Sequence, residues 1–171
     1  MNILGIETSC DETAASVVCD GQKILSSVVA SSLKEHSKYG GIIPEIASRR
    51  QIELISIVVA QALEKAKLNL KSINAIAVTK QPGLIGSLLV GISFARALSF
   101  AAKRPLIEVD HIKAHLYANF LTTGKGAKGP KPKLPAIGLV VSGGHSSLFY
   151  IKDFLHYQLL GQTRDDAIGE A

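Results

Sequence analysis

The chain has 171 residues, 47% of them hydrophobic and 5% aromatic, with a formal net charge of +5. That length and apolar content suffice to bury the core of one domain, or of one and a half small ones, and nothing but one short stretch reads as low-complexity disorder. The excess of basic residues permits a polyanionic partner without requiring one, because solubility alone accounts for a charge of this size.

Asn2–Glu7 is a short apolar run. Ala14–Asp20 and Lys23–Ala30 follow as β-rich runs joined across Gly21-Gln22, a pattern that predicts two antiparallel strands and a tight turn. Between the first two runs lies Thr8-Ser9-Cys10-Asp11-Glu12-Thr13, a polar turn dense in hydroxyls and carboxylates. It can offer donors to a ligand above it or be an ordinary hydrophilic hairpin. The two cysteines, Cys10 and Cys19, stand at neither a redox nor a zinc spacing, which suits free thiols in a reducing compartment. Ser31–Pro44 reads as a loop. From Glu45 to Lys67, Ile46, Ile52, Ile55, Val58, Val59, Ala62, Leu63 and Ala66 recur every three or four residues, as in an amphipathic helix laid on a sheet. Arg49 and Arg50 near its start can hold an anion or an RNA phosphate, although solvated surface arginines are the commoner case.

Ala75–Val78 reads as a buried parallel strand and Thr79–Gly83 as a turn. Leu84–Ala101 reads as a helix apolar nearly all round and is expected to be buried, with Gly86 and Gly91 allowing close approach to the sheet. The most apolar run, Gln81–Ala95, is interrupted by Pro82, Gly83, Gly86 and Gly91 and is too short to span a bilayer. The N-terminus opens in strand-like sequence, without the layout of a signal peptide. A soluble cytoplasmic protein with no membrane partner is therefore expected.

A strand over Pro105–Val109 leads into a helix from His111 to about Phe120. His111 and His115, four residues apart, fall on one face of that helix, close enough to share one metal ion that needs one or two further ligands. By spacing alone, two surface histidines are the commoner outcome. Residues 122–133 hold Gly124, Gly126, Gly129, Pro130 and Pro132 with four lysines and no acid, a basic linker and the best candidate for a boundary. Strand runs Ala136–Val141 and Ser147–Ile151 then flank Ser142-Gly143-Gly144-His145-Ser146, and Tyr157–Gly161 follows as a third. The two glycines let consecutive backbone N–H groups face a phosphate, and a plain Gly-Gly hairpin stands equally open.

This second half repeats the design of the first thirty residues. Paired hairpins facing across a cleft are how the actin, heat-shock chaperone and sugar-kinase superfamily grips nucleotide phosphates. The expected fold is α/β and actin-like: a first lobe over 1–121 carrying the histidine helix, a linker over 122–133, and the beginning of a second lobe over 134–171. Asp165, Asp166 and Glu170 read as the acidic first turn of a helix. A second lobe lacking its crossover helix is expected to be part of a longer protein.

Taken together, these stretches resemble the tRNA threonylcarbamoyladenosine transferase family, called TsaD in bacteria and formerly O-sialoglycoprotein endopeptidase. The matching segments are Gly5–Ala14 (GIETSCDETA), His36–Arg49 (HSKYGGIIPEIASR), Pro82–Ala97 (PGLIGSLLVGISFARA), Asp110–Ala118 (DHIKAHLYA), Leu139–His145 (LVVSGGH) and Asp165–Ala171 (DDAIGEA). They run in family order along almost the whole chain, and the ETSCDET start is similar to the bacterial and organellar branch. The resemblance implies transfer of a threonylcarbamoyl group from threonylcarbamoyl-adenylate to the N6 amine of the adenosine beside the anticodon, with release of AMP. It implies that His111 and His115 are ligands of one iron or zinc ion. It also implies that Val140, Val141, Ser142, Gly143 and Gly144 line the threonylcarbamoyl and phosphate portion, and that Asp11 is a catalytic or orienting carboxylate. Implied partners are tRNA, a TsaB-like subunit and a TsaE-like ATPase, with ATP and magnesium as a further ligand to test.

Three positions depart from the family pattern: Lys113 stands where a glutamate is usual, Asp110 where asparagine is common, and Gln51 in place of a histidine. Lys113 brings a positive charge beside the metal. The family's third metal ligand, an aspartate, belongs to a C-terminal half beyond this sequence, so the chain is expected not to turn over alone. A metalloprotease needs H-E-x-x-H, and Ile112 follows the first histidine, so that reading is rejected. A TsaB-like scaffold lacks the histidine pair, and a sugar kinase has no use for it.

Overall fold

The computed structural model describes residues 1–123, 132–142 and 146–164. Gly143, Gly144, His145 and the acidic stretch with Asp165, Asp166 and Glu170 lie outside the described residues, as does most of the expected linker. The chain divides into two compact units. One comprises Met1–His111 and the described part of Leu121–Ala127; the other comprises Ile112–Phe120 and the described part of Lys128–Ala171.

The first unit is built on β1 (Asn2–Glu7), β2 (Glu12–Cys19), β3 (Lys23–Ser31), β4 (Ala75–Gln81), β5 (Leu106–Asp110) and β6 (Thr122–Thr123). They form one sheet in the order β5-β4-β1-β2-β3-β6. The meander β1–β2–β3 is antiparallel, while β4 and β5 join β1 in parallel. Gly21, at φ 70, turns the β2–β3 hairpin as the sequence predicts. The short helix α1 (Leu33–His36) occupies part of the expected loop, and the buried His36 accepts from the Ile43 amide at 3.2 Å. The loop is therefore held in place rather than merely connecting.

Helix α2 (Pro44–Lys65) begins with Pro at its first turn and Glu45 at the positive end of its dipole, both favourable starts. It packs on β2 and β3, beside α3 (Ile85–Ala102), which packs chiefly on β4. Leu4, Val17, Ile73 and Ile76 are fully buried beneath them. The expectation that α3 is buried all round is corrected. Its buried residues are the small Ser87, Gly91 and Ala95, one turn apart, while Ile85, Leu89 and Phe100 are 79%, 58% and 87% exposed. A stripe of small residues brings the backbone close to the sheet, with Val90, Phe94 and Leu98 partly covered on the core and Ile85, Leu89 and Phe100 left outside. At 18 residues α3 also runs past the expected interruption by glycine, and by length and composition alone it is long enough to cross a membrane.

The second unit carries α4 residues from Ile112 onward (helix α4 spans His111–Ala118) and an antiparallel sheet of β7 (Ala136–Val141), β8 (Ser146–Ile151) and β9 (Tyr157–Gln162). Its core is Leu116, Val140 and Ile151, extended by Phe149 and Tyr157. An edge-to-face pair of Phe120 and Phe154, with ring centroids 5.0 Å apart, adds to it. Of the expected linker, Thr122–Thr123 instead pairs with β3 as a short parallel edge strand.

Candidate active site

Parallel strands deliver their C-terminal ends to one edge of the first unit, where α/β sheets bind ligands. The turn after β1 lies at that edge and is fixed from several sides. Gln51, fully buried on α2, donates through Nε2 to the carbonyls of Cys10 at 2.9 Å and Glu12 at 3.1 Å. The Ser32 hydroxyl donates to the Asp11 carbonyl at 2.6 Å. From the start of α3, the Leu84 amide donates to the Ser9 carbonyl at 2.7 Å, and Thr8 Oγ1 donates to the Ser87 carbonyl at 2.8 Å. Glycine is needed at two places: a Cβ on Gly83 would sit 2.4 Å from the Ser9 carbonyl oxygen, and one on Gly91 would sit 2.2 Å from Thr8 Oγ1. The segment PGLIGSLLVG is thus shaped around the turn, which makes the turn a preformed part of the site and not a loose hairpin.

The Glu7 carboxylate closes β1. In register, Ile6 pairs with Val78 on β4, and Thr79 with Val109 on β5, so Glu7 and Thr79 arrive from neighbouring strands and His111 from the helix start directly after β5. Glu7 accepts from the Thr79 hydroxyl and the Ser9 amide, and lies 3.1 Å from His111 Nδ1. The Ser9 hydroxyl lies 3.1 Å from the same nitrogen. Burial pushes the Glu7 pKa up, but the bonds from His111, Ser9 and Thr79 outweigh it and hold the carboxyl at about 2. The bond to Glu7 raises the His111 pKa against the opposing effect of burial, with the charges of Glu7 and Asp110 adding to the rise.

Asp11 is half-buried on the clamped turn. Cys10 beside it is an exposed free thiol whose pKa is raised, through desolvation first and the Asp11 charge next, which opposes formation of a thiolate. His111 and His115 lie one turn apart on α4, half-buried and exposed respectively. Two imidazoles at that spacing fit two positions of an iron or zinc site. Among the described residues no group of three His, Cys, Asp or Glu side chains is assembled to hold a metal. In the second unit, Val140 is buried in the core and Val141 and Ser142 are exposed at the end of β7. Val140 can therefore touch a ligand only through its backbone. Arg49 pairs with Glu45, and Arg50 with Glu53 and Glu35, so the α2 arginines are largely neutralised.

Sequence reasoning missed Glu7, Thr79 and the role of Gln51. A carboxylate closing an apolar strand, next to a polar turn, is the one local signal for Glu7. Nothing local marks a glutamine at a core position of α2.

A family model described as "TsaD: tRNA N6-adenosine threonylcarbamoyltransferase" matches residues 23–171. A curated relative of that name from Caldicellulosiruptor saccharolyticus is 54% identical over the whole chain, which covers 49% of the relative. Its counterpart from Clostridium kluyveri is 53% identical over the whole chain, covering 48% of that relative. The chain thus spans about half the length of the curated relatives it matches. Among solved structures, YeaZ from Pseudomonas aeruginosa is 15% identical with a TM-score of 0.56, the match covering 99% of this chain and 67% of that one. The likeness supports the actin-like α/β fold.

Proposed function

The chain belongs to the TsaD family of tRNA N6-adenosine threonylcarbamoyltransferases, and from that premise we propose that it supplies part of the active site for threonylcarbamoyl transfer to tRNA. The observation that carries this reading is the cluster of Glu7, Ser9, Thr79 and His111 beside the clamped Asp11 turn. In the reaction, the N6 amine of the adenosine beside the anticodon forms a bond to the carbamoyl carbon of threonylcarbamoyl-adenylate. The bond from that carbon to the phosphate oxygen breaks, AMP leaves, and one amine proton is lost.

Asp11 is the carboxylate that orients the amine and takes that proton, on a turn whose donors and carbonyls are already fixed and so need no reorganisation. Val140, Val141, Ser142, Gly143 and Gly144 line the threonylcarbamoyl and phosphate portion, a role that a Gly-Gly sequence suits by its backbone freedom. His111 and His115 hold a metal, iron or zinc, which supplies Lewis-acid polarisation of the carbamoyl carbonyl when bound. The partners are tRNA, a TsaB-like subunit and a TsaE-like ATPase, with ATP and magnesium a further ligand, and the place of work is the cytoplasm.

The test is a full-length chimera in which this chain replaces the matching half of the Caldicellulosiruptor saccharolyticus relative. AMP release and modified adenosine in tRNA are measured with threonylcarbamoyl-adenylate as donor. Transfer is expected, with a loss of roughly 100-fold or more in kcat for Asp11→Asn, the scale of general acid–base catalysis. A folded chimera without transfer, or an Asp11→Asn form of undiminished rate, would overturn the reading.

A further inference from the structure

The Glu7 carboxylate collects more donors than the end of a strand needs. The Thr79 hydroxyl and the Ser9 backbone amide hold it from two sides, and the His111 ring meets it from a third. Two of those donors come from rigid parts of the fold. Thr79 is 4% exposed on β4, and Ser9 is 2% exposed on the clamped turn. The carboxylate is thus placed before the histidine is considered.

A carboxylate only accepts hydrogen bonds, so the imidazole nitrogen that meets it must carry the hydrogen. That nitrogen is Nδ1. The Ser9 hydroxyl, at the same 3.1 Å, can donate or accept and so cannot select a tautomer by itself. With hydrogen on Nδ1, the lone pair of the neutral ring sits on Nε2.

We propose that Glu7 is a positioning residue for His111, fixing its Nδ1–H tautomer and its ring orientation so that Nε2 is the metal-binding nitrogen. The inference rests on the reading of His111 as a metal ligand. Carboxylates behind ligating histidines act in this way generally, and their loss weakens metal binding more than the loss of an ordinary hydrogen bond.

Two measurements test it. Long-range proton–nitrogen NMR, with the His111 signals assigned through His111→Ala, reads the tautomer at a pH above the raised His111 pKa. The expected result is Nδ1–H in the unaltered chain and a mixed or Nε2–H population in Glu7→Gln, whose amide can either donate or accept. Zinc affinity, by competition with a chelator in the full-length chimera that restores the missing half, is expected to fall roughly 10- to 100-fold in Glu7→Gln and further in His111→Ala. An Nε2–H tautomer in the unaltered chain, alongside zinc binding that depends on His111, overturns the role of Glu7 alone. So does a folded Glu7→Gln form with zinc affinity unchanged within twofold. Zinc binding that is indifferent to His111→Ala overturns the metal reading, and with it the purpose of the Glu7 contact. The tautomer of the unaltered chain keeps the test decisive if Glu7→Gln fails to fold.

Discussion

The two sheets solve the same problem to different depths. In the first unit, α2 and α3 lie side by side over β1–β4, and Leu4, Val17, Ile73 and Ile76 have no exposed surface. In the second, Leu116, Val140 and Ile151 make a small core on one face of β7–β9. The alternate residues of β7 face the other way, with Ile137 and Leu139 each 61% exposed and Val141 48% exposed. A sheet covered by helices can carry a polar turn whose every carbonyl has a donor, as the Thr8–Glu12 turn does. The core of the second sheet, among the described residues, is far smaller, so its strands have less packing behind them. A deep core holds the turn at its edge in place before any ligand arrives, and the first unit has that core.

The largest expected effect tests that difference directly. Ile76→Ala empties a site with no exposure, and a loss of about 3–4 kcal/mol is expected from urea unfolding of the chain. Leu116→Ala, in the smaller core, is expected to cost about 2 kcal/mol, with hydrogen-exchange protection falling in β7 and β8 and holding in β1–β4. Equal losses, or a loss of protection spread over both sheets, would break the comparison. Next in size is Gln51→Leu, which keeps the volume but removes the donor from the Cys10 and Glu12 carbonyls. A cost of about 1–3 kcal/mol is expected, with faster exchange of the amides in the turn after β1. A Gln51→Leu form as stable as the parent would show that the turn holds itself.

Much of the fold was legible because it rests on local periodicity. The alternation in β1–β3, the three- and four-residue spacing of α2, and the triple of strand runs after residue 134 all reappear close to their predicted bounds. What escaped depends on partners far along the chain. The register that sets Glu7 beside Thr79 joins residues 72 apart, and the His111 contact joins residues 104 apart. No window of sequence contains both. The exposure of α3 escaped for another reason: composition reports how apolar a helix is, not which of its faces finds a sheet. The fully buried stripe of Ser87, Gly91 and Ala95 is flanked by Val90, Phe94 and Leu98, which are only partly covered, while Ile85, Leu89 and Phe100 stay exposed, so apolar character did not mark which side is buried. Pro105–Val109 and the histidine helix were placed within about a residue or two, the ordinary uncertainty of element ends.

The smallest expected change in stability sharpens the comparison from the other side. Leu139 on β7 stands directly opposite Leu148 on β8, and both side chains lie on the exposed face, 61% and 38% accessible. Because Leu139 has little burial to lose, Leu139→Lys should alter the unfolding free energy by no more than about 0.5 kcal/mol. Its effect should appear in association instead. An apolar sheet face of this kind favours contact between copies, and a charge at its centre opposes that contact by desolvation. Light scattering behind size-exclusion chromatography should show an average mass that rises with concentration for the parent chain and stays near the monomer for Leu139→Lys. A parent chain that remains monomeric at high concentration would mean that the face is not a contact surface. A Leu139→Lys form destabilised well beyond that margin would mean that the face is covered in solution, and the two sheets would then differ less than their exposures indicate.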